Sequence, residues 1–132
     1  MIISAEEFVS LRKHDDPEQA RRASVEEAPE AVWLAVTDQY PDMKFWVVQN
    51  KTVPLSILRR LAEDSDSRVR AAVADKRKLD RKLFELLAND PDEGIRQRIA
   101  YNKKTPFDVL EQLLTDESAL VSSVARIRLG KL

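Results

Sequence analysis

Apolar positions repeat along the chain on two scales. On the short scale Ile57, Leu58, Leu61 and Ala62 fall at i, i+1, i+4 and i+5, the spacing that lines one face of an α-helix. On the long scale that face returns: Leu83 stands 26 positions after Ile57, and Val109 stands 26 after Leu83. The companion columns read Leu58, Phe84, Leu110 and Leu61, Leu87, Leu113. A second, shorter face precedes each of these, as Val69, Val73 and Ala74 or as Ile95, Ile99 and Ala100. Each period therefore predicts two helices, a short helix A followed by a helix B. The segment "NKTVPLSILRRLAEDSD" at Asn50 and its near double "NKKTPFDVLEQLLTDES" at Asn102 are the most visible copies, two periods apart.

Polar punctuation follows the same period. Pro29, Pro54 and Pro106 stand where helix B begins, a place where proline's missing N–H costs no hydrogen bond. Asp66, Asp92 and Ser118 precede helix A as N-caps. Near the N-terminus, Ser4 with Glu7 and Asp16 with Pro17 and Gln19 are spaced as capping boxes, which predicts a pair of capping helices over residues 1–27 ahead of repeats over 28–132. A single unit buries too little apolar surface to offset the backbone entropy of ordering it, so the unit must stack on copies of itself.

These units resemble HEAT-like repeats, and more narrowly the bacterial leucine-rich-repeat-variant type, with "VRAAVADK" and "IRQRIAYNKKTP" as the segments that carry the likeness over roughly Ala28 to Leu129. The resemblance implies an all-α class and an α-solenoid of about four units in one domain. It also implies a ladder in which an Asp of the inter-helix turn stands six positions before a basic residue. That spacing yields Asp38 with Lys44, Asp64 with Arg70 and Asp90 with Arg96; it fails at Asp116, which meets Ser122.

Composition narrows the classes. The chain has 132 residues, 43% hydrophobic and 34% charged, which is too apolar for disorder and too charged for a membrane span. Two glycines leave little material for tight hairpins. The start "MIISAEEFVSLRK" lacks the basic and apolar segments of a secretory signal, so a cytoplasmic location is expected. With no cysteine, disulfides, thiolate nucleophiles and cysteine-held zinc are excluded. The single histidine, His14, sits beside Asp15 and Asp16 in a linker and reads as a solvated residue rather than a metal ligand or base. No glycine-rich phosphate loop occurs, and the carboxylates recur at cap and ladder positions. No enzymatic activity, cofactor or metal is expected.

Two surfaces then compete. The turn from helix A to helix B is basic, with Lys51, then Lys76, Arg77 and Lys78, then Lys103 and Lys104. Stacked, these side chains would form a ridge able to follow a nucleic-acid backbone. The helix macrodipole accounts for the same cations, and a net charge of −1 provides no global pull toward nucleic acid. The other surface is the outward side of helix B. The resemblance places Trp33, Leu34, Arg59, Arg60, Lys82, Glu85 and Leu86 there, and Trp and Arg are enriched at interface hot spots. Trp33 replaces the polar column of Arg59, Glu85 and Glu111; Phe45 and Trp46 replace Ala71 and Ala72. These aromatics either bind a partner or pack beneath the N-terminal cap. The expectation is a non-catalytic protein-binding module, by resemblance and size a bacterial immunity or antitoxin-type protein, with nucleic-acid binding as the alternative.

Overall fold

In the computed structural model, which describes residues 1–130, the expected helix alternation is present: ten α-helices and one short 3-10 turn, with no strand among the described residues. The contacts group the described chain into two units, Met1–Leu61 and Ala62–Leu132.

The first unit contains α1 (Ala5–Arg12), α2 (Pro17–Val25), α3 (Glu30–Gln39), the 3-10 turn Pro41–Met43, α4 (Lys44–Gln49) and α5 (Leu55–Leu61). Its start signals work locally. The Ser4 hydroxyl accepts from the Glu7 N–H at 3.0 Å, while the Glu7 carboxylate accepts from the Ile3 N–H at 2.9 Å. The Asp16 carboxylate accepts from the Glu18 N–H, with Pro17 opening the helix. Gln19 does not close the second box; its side chain accepts from Arg22 instead. Asp38 lies inside α3, not in a turn, and is exposed. The first expected rung, Asp38 with Lys44, fails because α3 continues past the point where a turn would present the aspartate.

The second unit contains α6 (Ser67–Ala74), α7 (Arg81–Ala88), α8 (Glu93–Tyr101), α9 (Phe107–Leu113) and α10 (Ala119–Arg128). Helix α8 packs against both α6 and α10, and α7 packs against α9, so the A-type and B-type helices each have their own neighbours. The core columns fall where the period puts them: Leu83, Phe84 and Leu87 on α7, Val109, Leu110 and Leu113 on α9, all buried. Asp66, Asp92 and Ser118 cap α6, α8 and α10 through their side chains.

The ladder in this unit differs from the expected pairing. Arg70 Nε and Nη2 donate to the two carboxylate oxygens of Asp90 at 2.9 and 3.2 Å, and its Nη1 donates to the Asp64 backbone carbonyl at 2.9 Å. Arg96 does the same one period later, reaching the Asp116 carboxylate at 2.9 and 3.2 Å and the Asp90 carbonyl at 2.8 Å. The aspartate six positions upstream thus contributes its backbone carbonyl, and the carboxylate comes from the aspartate 20 positions downstream. Asp116 is therefore not an unmatched end. Each aspartate also accepts a backbone N–H two residues on, Asp92 to Asp90 and Ser118 to Asp116, which sets the turn before the next helix. Hydrogen bonds to these carboxylates raise both guanidinium groups above their ordinary range.

A second recurring tie has no counterpart in the expected ladder. Asn102 is buried and its Nδ2 donates to the carbonyls of Ala74 and Lys76, both at 2.8 Å. One period on, Arg128 Nη1 donates to the carbonyls of Ala100 and Asn102 at 2.7 and 3.2 Å. In the first unit Asn50 donates to the carbonyls of Ala23 and Glu26 at 2.9 and 3.0 Å. These carbonyls close helices that have no intrahelical donor left to satisfy them, so a long polar side chain at this register finishes the preceding helix.

Candidate partner-binding site

Trp33 is fully buried and meets Phe8 of α1 edge to face, with ring centroids 5.4 Å apart. Its position therefore belongs to the core, and it offers no partner-facing surface. The reason lies in the buried face of α3, which runs Val32, Trp33, Val36 and is turned toward α1 relative to the face of α5. Of the other residues expected in the first unit, Leu34 is half-buried, and Arg59 and Arg60 are exposed at the end of α5. In the second unit Lys82, Glu85 and Leu86 share one side of α7 at i, i+3 and i+4. Lys82 is exposed and Glu85 accepts from Arg81 at 3.0 Å. Leu86 borders a hollow of about 360 Å³ that also holds Arg70 and Asp90.

The basic turns divide similarly. Lys51 lies in the first unit and is exposed. In the second, Arg77, Lys78, Lys103 and Lys104 are exposed, whereas Lys76 is half-buried. Burial, and then the nearby Lys78 charge, lower the Lys76 ammonium from its ordinary value. Arg77 and Lys103 border a small hollow of about 210 Å³ with Tyr101, which is 60% exposed. Beside it Arg98 is already held by Asp75 at 2.5 Å.

The aromatic pair of α4 has a different fate from Trp33. Phe45 remains 43% exposed and contacts Trp46 edge to face at 5.0 Å. The guanidinium carbon of Arg12 sits 3.4 Å from the centroid of the Trp46 ring, a cation–π stack. These three residues form the head of an open groove of about 650 Å³ between α2 and α4, continued by Arg21, Ser24 and Gln49. Ala20 and Ala23 form the floor on the α2 side, and no carboxylate lines it. The Arg12 Nε is buried without a hydrogen-bond acceptor. Among the described residues no carboxylate forms an ion pair with Arg12 or with Arg21.

Sequence reasoning singled out Phe45 and Trp46 as departures from the repeat but missed Arg12 and Arg21. Arg12 closes the last turn of α1, and Arg21 is an exposed side chain of α2. Neither position belongs to a repeating column. Comparison with family models, with curated proteins and with solved structures returns no match.

No helix is long and apolar enough to cross a membrane, and no group of three or more potential metal ligands occurs, among the described residues.

Proposed function

We propose that the chain is a non-catalytic protein-interaction module, built as a HEAT-like α-solenoid of about 26 residues per unit, that grips a protein partner. The observation that carries this reading is the Arg12, Phe45 and Trp46 cluster on an open groove, because stacked arginine and aromatic side chains are the residue types that dominate binding energy at protein interfaces. The repeated Arg–Asp ties, at a fixed register in the second unit, support the stacked-repeat part. In its biological form this reading is a cytoplasmic immunity or antitoxin-type protein, a version that rests on the family resemblance and on size.

The test is capture with a tagged chain, compared with a Phe45→Ala bait. Phe45 is exposed, so its truncation leaves the core intact. The reading expects a protein retained by the first bait after nuclease treatment and depleted with the second. Equal retention by both baits, or retention of no protein, contradicts it.

Nucleic-acid binding is the second reading, favoured by the exposed Tyr101 beside Arg77 and Lys103, an aromatic interleaved with cations that could stack on a base. Replacement of Arg77, Lys103 and Lys104 by Gln would then abolish a gel shift.

A further inference from the structure

We infer that the groove between α2 and α4 takes an acidic peptide segment of the partner protein, one that places an apolar side chain against Phe45 and Trp46 and carboxylates beside Arg12 and Arg21. This rests on the protein-interaction reading and specifies its chemistry.

Charge selects the occupant. Both arginines at the groove lack an ion-pair partner among the described residues, and no acidic side chain lines it. Several arginines elsewhere are matched, Arg22 with Glu26, Arg70 with Asp90, Arg96 with Asp116 and Arg98 with Asp75, whereas Arg12 and Arg21 converge on one groove without a carboxylate. A groove that concentrates unmatched guanidinium groups in a chain of net charge −1 is complementary to carboxylates and repels a basic segment.

Shape and chemistry select a peptide. Arg12 is held in place by its stack on Trp46, so its fork is oriented before a ligand arrives and little rotamer freedom is lost on binding a carboxylate. The exposed edge of Phe45 and the two alanines of α2 provide an apolar strip beside it. Gln49 supplies a side-chain amide of the kind that pairs with a peptide backbone, and the Ser24 hydroxyl, which donates to the Arg21 carbonyl, keeps its acceptor capacity. The groove volume, about 650 Å³, accommodates a few residues rather than a folded surface.

The experiment uses the full chain and an array of short synthetic peptides, each a Leu or Phe flanked on both sides by Glu, with Gln-flanked and Lys-flanked copies. Binding is read by fluorescence anisotropy. The Glu-flanked peptides are expected to bind, with affinity at least tenfold above the Gln-flanked copies and falling as salt is raised. Arg21→Gln should cost about tenfold; this side chain is exposed, so folding is unaffected and the result is interpretable even if Arg12→Gln perturbs the stack on Trp46. Circular dichroism of each variant checks its fold. No binding to any Glu-flanked peptide, equal binding of Gln-flanked copies, or unchanged affinity in Arg21→Gln overturns the inference. A captured protein whose retention depends on Phe45 but not on Arg12 or Arg21 also overturns it, and leaves the protein-interaction reading standing.

Discussion

Arg96 is joined to Asp116 by two parallel hydrogen bonds, at 2.9 and 3.2 Å, with both side chains about nine-tenths buried. Asp116 stands 20 positions after Arg96, in the turn before α10, so this pair ties α8 to that turn. A buried pair of this geometry is costly to break from one side, about 3 to 5 kcal/mol, because the remaining charge is left desolvated. In a double-mutant cycle read by urea unfolding, Arg96→Gln and Asp116→Asn should therefore couple strongly. Arg96→Gln and Asp64→Asn should be additive within about 0.5 kcal/mol, since the hydrogen bonds of Arg96 go to Asp116 and to the Asp90 and Pro91 carbonyls. Strong coupling to Asp64 would mean that the pairing is wrong.

The same pair predicts a pH dependence. Burial alone would raise the Asp116 carboxyl, but the hydrogen bonds from Arg96 and from the Ser118 N–H outweigh it and hold the group below its ordinary value. A depressed folded-state value stabilises the protein above the unfolded value and is lost as pH falls through the folded one. Wild-type stability should thus decline as pH drops below about 4, and Asp116→Asn should show a shallower decline over that interval. Parallel stability profiles for the two proteins contradict this assignment.

Asn102 provides two donors to the carbonyls of Ala74 and Lys76 from a buried position. Asn102→Asp keeps the shape but replaces the Nδ2 amino group, and with it both donors, by one carboxylate oxygen facing two carbonyls. Leaving two buried acceptors unmatched costs about 1 to 3 kcal/mol each, so the melting temperature should fall further in Asn102→Asp than in Asp75→Asn, whose ion pair is half exposed. Equal melting temperatures would remove the helix-closing role.

Trp33→Ala should unfold the protein more readily, by about 3 to 5 kcal/mol, as expected for loss of a fully buried aromatic. Any loss of partner binding should track the loss of folded protein. A variant that keeps its melting temperature but loses binding would return Trp33 to the interface.

Much of this was legible in the sequence, for identifiable reasons. Helix faces, caps and the period are local or strictly repeated, so Leu83, Val109, Asp92 and Ser118 announce their roles by spacing alone. The Arg–Asp pairing was misread because one arginine has two aspartates in reach, and spacing does not say which contributes a carboxylate and which a carbonyl. Trp33 and Trp46 are both departures from the repeat, yet one is core and the other is stacked under Arg12 on a groove. The difference is set by how α1 and α2 pack, through contacts between segments that share no period. Arg12 and Arg21 were missed for the same reason.

The most direct test of the interaction reading is amide hydrogen exchange on the chain, alone and bound to the protein it captures. A partner seated on the Phe45 and Trp46 groove should slow exchange in α2 (Pro17–Val25) and α4 (Lys44–Gln49), leaving the turns at residues 76–78 and 103–104 unchanged. Protection confined to those basic turns, with exchange in α2 and α4 unaltered, would contradict the account and favour a nucleic-acid role.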